Sequence, residues 1–228
     1  MTRLMISALL LTAAAPAFAA DKSFPVGSFT QVSASGSEDV TITTGKAVSV
    51  VATGPQEKLD KLDIRVEGDT LKIGHKKGDW GWNWSSGDDV RIRVTMPQLH
   101  GVRTSGSGDV VADSGSGPAF VVSSAGSGNA RIDRVNSPSV SISTAGSGDV
   151  TMAGQCKTAK VSVSGSSNIN AGGLKCVDAD IGISGSGDVK LAATGSANVR
   201  ISGSGDVVVT GGARCQSKVS GSGDVTCG

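Results

Sequence analysis

The sequence predicts an all-β fold: a single-stranded parallel β-helix, or β-solenoid, with about 18–20 residues per coil and an irregular N-terminal β region. Three observations predict it. A Gly-Ser-Gly-Asp-Val turn recurs at nearly constant spacing, the sequence between turns alternates with period two, and the composition is rich in glycine and poor in aromatics.

The repeat is the strongest of the three. Gly106-Ser107-Gly108-Asp109-Val110 returns at Gly126, Gly146, Gly165, Gly185, Gly203 and Gly221, with first glycines 20, 20, 19, 20, 18 and 18 residues apart. Gly36-Ser37-Glu38-Asp39-Val40 is a looser, outlying eighth copy. The fourth turn position reads Asp109, Asn129, Asp149, Asn168, Asp188, Asp206, Asp224. Asp and Asn accept hydrogen bonds from turn amides and tolerate left-handed backbone. In-register stacking sets these side chains about 5 Å apart. Repulsion between carboxylates opposes that, and Asn129 and Asn168 interrupt the charge ladder.

After each turn an apolar pair sits at i and i+2: Val150 and Met152, Ile169 and Ala171, Val189 and Leu191, Val207 and Val209. A second pair precedes the next turn: Phe120 and Val122, Val140 and Ile142, Val161 and Val163, Ile181 and Ile183, Val199 and Ile201. Each unit therefore supplies two short strands with one buried face. Burying four aliphatic side chains yields about 1.5–3 kcal/mol each, less than the entropy of ordering some twenty residues. One unit cannot fold alone, but stacked units gain strand pairing on both sides. The 33 glycines suit such close stacking of backbone.

Cys156 and Cys176 lie 20 residues apart, each five residues before a matched strand position, Val161 and Ile181. They are expected one above the other in adjacent coils, within disulfide reach. Cys215 and Cys227 are then left to pair and pin the C-terminal coil. The cysteines form no CxxC pair and neither His75 nor His100 is near them, so zinc is disfavoured.

Residues 1–20 read as a signal peptide: Arg3, the apolar stretch Leu4 to Ala15, and an Ala17-Phe18-Ala19 cleavage pattern. Export is expected, to the periplasm, the cell surface or the medium of a bacterium, where disulfides form. Arg3 is the only charged residue in the leader, so removing it leaves 20 basic against 20 acidic residues. That neutrality argues against a nucleic-acid or acidic-lipid partner. Residues 21–101 form the N-terminal β region and 102–228 the repeat. The first of these contains strand-like Val40-Thr41-Ile42, Ile64-Arg65-Val66, Leu71-Lys72-Ile73 and Val90-Arg91-Ile92. One or two helical turns are expected over Pro55 to Leu62, with the whole region continuous with the solenoid or packed on it.

Phe24-x-x-Gly-x-Phe29, Ser35-Gly36-Ser37-Glu38-Asp39-Val40, Leu59-x-x-Leu62-x-Ile64 and the turn array together resemble the head GIN domain family of auto-transporter adhesins. The resemblance covers essentially the whole chain after the leader. It implies an exported β-helical domain, a possible adhesive role, and no catalytic residues to carry over.

Trp80, Trp82 and Trp84 are the only tryptophans, and alternation sets them on one face of an extended segment. They are the ligand-binding candidates, since aromatic platforms stack on sugar rings or grip a partner, although aromatics also cover the side of a core. A calcium β-roll has a nine-residue period, about half that seen here, and the half-way segment Gly195-Ser196-Ala197-Asn198 lacks Asp. No metal or other cofactor is expected. A polysaccharide lyase also uses this fold type, but it needs clustered acidic and basic residues that the short Ser- and Thr-rich coils do not offer. The reading is a non-catalytic binding or scaffold protein with a glycan or cell-envelope partner.

Overall fold

The computed structural model describes residues 19–76 and 90–228. The leader, except its last two residues, and all three tryptophans lie outside the described residues. The described chain is a parallel β-solenoid with an irregular N-terminal β region, as the repeat predicts.

Two stacks of strands form its main sides. On one, Asp39–Thr44, Val110–Ala112, Ala130–Asn136 and Val150–Gln155 run parallel in register, followed by the first halves of the long strands Ile169–Gly185 and Val189–Gly203. Val207–Thr210 and Val225–Cys227 complete it. Val40, Val110, Ala130, Val150, Ile169, Val189 and Val207 make one buried column, so the sequence-matched positions of successive turns are direct neighbours. On the other side, Gln31–Gly36, Gly101–Gly106, Ala119–Gly126, Ser139–Gly146 and Thr158–Gly165 stack onto the second halves of the long strands and Arg214–Gly221. Their column is Val32, Val102, Val122, Ile142, Val161, Ile181 and Val199. Period-two alternation puts these side chains inside and Ser, Thr, Lys and Asp outside.

The coil has a short third side that two-strand reasoning missed. Between the strands, Val135, Leu174 and Ala193 turn inward and are fully buried. Register shifts fall here, between Ile132 and Val135, Thr151 and Ala153, and Ala171 and Lys175. The corner thus absorbs the difference between 18- and 20-residue repeats, and both strand stacks keep their register.

The N-terminal region joins the column in an order the chain does not follow. The outlying turn at Gly36 stacks directly on the turn at Gly106, 70 residues later. The intervening chain loops to the far side of that first coil. There Thr70–His75 pairs parallel with Gln31–Gly36, and Arg91–Met96 with Asp39–Thr44. Antiparallel strands then close this end: Leu62–Glu67 against Thr70–His75, and Ser49–Gly54 against Arg91–Met96, with Ala20–Ser23 outermost. The helical segment is one turn, Gln56–Leu59, whose Leu59 is buried. At the other end the Cys215–Cys227 disulfide links inward positions on the two opposite sides of the last coil.

Close packing at the turns sets a strict size limit. A Cβ on Gly148 would sit well inside van der Waals contact of the Gly128 carbonyl oxygen, and one on Gly128 would meet Gly108 in the same way. Gly172, on the third side, has open space instead. Gly148→Ala should therefore destabilise the fold by about 1–3 kcal/mol. Gly172→Ala should change it by no more than about 0.5 kcal/mol. Urea unfolding of the two variants checks the contrast.

Candidate functional site

The turns form a ridge along the column, and a hydrogen-bond ladder holds it. The backbone N–H of Asp109 donates to Asp39 Oδ1 at 3.0 Å, and that of Asn129 to Asp109 Oδ1 at 2.8 Å. The same bond recurs from Asp149 to Asn129, Asn168 to Asp149, Asp188 to Asn168, Asp206 to Asp188 and Asp224 to Asp206, at 2.8–3.1 Å. Each side chain thus satisfies an amide of the next coil. Asp and Asn each supply the acceptor oxygen that this bond needs. Asp188, Asp206 and Asp224 therefore follow one another without an intervening Asn. The Asn residues relieve repulsion but are not required by the ladder.

Two turns depart from glycine at the third position, and each departure has a local cause. Glu38 occupies it in the first coil, in the turn between Gln31–Gly36 and Asp39–Thr44. Its carboxylate, 5 % exposed, reaches His75 instead, with Oε1 2.8 Å from Nε2. Ser167 occupies it in the coil of Gly165. There a Cβ on Gly165 would stand further from the Gly146 backbone than the equivalent atom on Gly185 stands from Gly165. Ser167 is buried there, and the Ser166 amide still donates to the Gly146 carbonyl at 2.9 Å.

Trp80, Trp82 and Trp84 fall in the segment between Thr70–His75 and Arg91–Met96, outside the described residues. Register pairs Ala34 with Ile73 and Asp39 with Arg91. Both ends of the segment are therefore held where other coils carry their four-residue turn, at the N-terminal end of the ridge. The Glu38–His75 contact lies at the departure point. Sequence reasoning missed that pair, although a Glu in a column of glycines was its signal.

Cys156 and Cys176 are bonded between adjacent coils, with Cα atoms 4.5 Å apart, and Cys215 pairs with Cys227 at 6.5 Å. Among the described residues, no three His, Cys, Asp or Glu side chains are placed to hold a metal ion, and no helix is long and apolar enough to cross a membrane. Ionisation is displaced from its ordinary range at surface pairs in the N-terminal region. A hydrogen bond from Lys22 lowers the pKa of Asp60, and one from Gln31 lowers that of Asp69. A hydrogen bond to Asp63 raises that of Arg65.

Fold and ridge together define a disulfide-stapled parallel β-solenoid with a ridge of small turns and one long insertion. The family described as "Putative auto-transporter adhesin, head GIN domain" matches residues 28–213, and the chain belongs to it. A solved structure of a putative adhesin from Bacteroides fragilis superposes with a TM-score of 0.85 at 23% identity, covering 92% of this chain and 96% of that one. A putative lipid binding protein from Parabacteroides distasonis gives 0.70 at 23% identity, covering 93% and 98%. A putative adhesin from the same organism gives 0.73 at 18%, covering 93% and 98%. At these identities the likeness is one of fold. No curated protein matches the chain by sequence.

The ladder makes a specific demand of the ridge. Asp149→Ala leaves the Asn168 amide without its acceptor and should cost about 1–2 kcal/mol. Asp149→Asn keeps the acceptor oxygen and should stay within about 0.5 kcal/mol of the parent. Equilibrium denaturation of the pair measures the difference.

Proposed function

We propose that this is an exported, non-catalytic binding protein of the bacterial cell envelope or exterior, in which the solenoid is a rigid post and residues 77–89 present the ligand-contacting tryptophans. The family's description as an adhesin head supports a binding role, as do two disulfides suited to an oxidising compartment. The reading keeps the division into a leader at 1–20, an N-terminal β region at 21–101 and the repeat at 102–228.

The observation that carries the proposal is the contrast between this insertion and every other turn. Seven coils close the ridge with Gly-Ser-Gly-Asx or Gly-Ser-Ser-Asn, which leaves no room for a large side chain. The segment between Lys76 and Val90 replaces such a turn with thirteen residues that include all three tryptophans. Tryptophan concentrated at one exposed-end position of a scaffold otherwise poor in aromatics suits a glycan or envelope surface partner, because the indole face stacks on sugar C–H groups.

A screen of the protein against glycans and isolated cell wall tests this. Replacing Trp80, Trp82 and Trp84 together by Ala should weaken the bound partner by about tenfold or more while leaving the melting temperature unchanged. Undiminished binding by that variant would remove the tryptophans from the site.

A further inference from the structure

A surface groove lies away from the ridge, on the short third side. It crosses the coils there, with a volume of about 630 Å3. That is within the range of small-ligand sites. Its floor is apolar: Val135, Gly154, Gly173, the Cys156–Cys176 disulfide and Val177, which is 47% exposed. Along its rim Asn136, Gln155 and Lys175 stack in register on three successive coils. Arg134 and Lys175 line the groove, and Lys157 lines the smaller hollow that continues it past Cys156.

Cations outnumber anions along this groove. Asp133 is its only acidic lining residue, and Arg131 holds that carboxylate at 2.7 Å. Asp178 lies just beyond Val177, turned to the amide and hydroxyl of Ser196 at 3.0 and 2.6 Å. Arg134, Lys157 and Lys175 form no ion pair with the described residues, and all three are exposed. The corner geometry creates the feature. Register shifts concentrate there, and Gly154, with φ 134°, lets its coil close against the Val135 backbone where a side chain would clash.

We infer that this groove binds an acidic oligosaccharide, with carboxylate-bearing sugars met by Arg134, Lys157 and Lys175 and their C–H faces laid on Val177 and the disulfide. Three cations along an open, extended trough match a linear chain carrying repeated charge. Asn136 and Gln155 offer amide donors and acceptors at the coil repeat for sugar hydroxyls. An acyl chain fits less well, because the aliphatic interior behind the floor is filled by Leu174 and Ala193. The site shares no residue with the tryptophan segment, so either can fail without the other.

Titration calorimetry of the protein with a galacturonate hexasaccharide, and with maltohexaose as the neutral control, decides it. The acidic hexamer should bind, the neutral one about tenfold or more weaker, and the affinity should fall with added salt. Arg134→Glu with Lys175→Glu should weaken the acidic hexamer by about tenfold or more with an unchanged melting temperature, and the triple tryptophan variant should bind it like the parent. Equal affinity for the two hexamers, no binding of the acidic one, or indifference to the charge reversals would overturn the inference. So would binding through these residues to phosphatidylglycerol vesicles in place of the hexamer. Loss with the tryptophan variant alone would overturn it too, while supporting the binding site proposed at 77–89.

Discussion

Backbone-to-backbone contact between successive turns is the constraint on which the structure depends. In this ridge the third turn residue carries its α-hydrogens toward the carbonyl of the coil before it, and the fourth gives its side-chain oxygen to the amide of the coil after it. The first requirement favours glycine, with Glu38 and Ser167 the two departures, and the second is met by Asp or Asn. Together they fix the axial position of every coil to within a hydrogen bond. The strands leaving the turn are thereby held in register, and Val150, Ile169 and Val189 are neighbours. A one-residue slip would send those side chains to solvent.

Variation in repeat length goes elsewhere as a result. The turns cannot stretch, so the 18- to 20-residue spacing is taken up at the third side, where the register shifts cluster. That side is less regular, carries the Cys156–Cys176 staple, and opens into a groove. Rigidity at one edge thus produces irregularity at another. The two proposed binding surfaces, residues 77–89 and the disulfide groove, fall where the repeat is interrupted.

Much of this was legible in the sequence because the repeat is nearly exact. Matching Cys156 with Cys176 required only their equal offset from Val161 and Ile181, and the structure joins them. One or two helical turns are expected over Pro55 to Leu62, and the structure has one, Gln56–Leu59. Less visible was the place of the N-terminal third. Stack order departs from chain order there: the coil of Thr70–His75 and Arg91–Met96 lies outside that of Gln31–Thr44, though it comes later. No periodicity marks such a detour, because it depends on pairing between strands tens of residues apart. The third side was missed because its inward residues, Val135, Leu174 and Ala193, occur singly and give no alternation. The role of the Asx residues was half seen. Their repulsion is apparent from spacing, but the amide that each one satisfies belongs to another coil.

Residue-resolved hydrogen exchange on the ridge amides tests the stacking most directly. The amides of Asn129, Asp149, Asn168, Asp188 and Asp206 lie in exposed surface turns, where isolated turns exchange freely. If each is bonded to the coil before it, all five should exchange as slowly as the strand amides of Val150 and Ile169. Exchange of these five at the rate of open loops, with the strands still protected, would contradict register-locked turns.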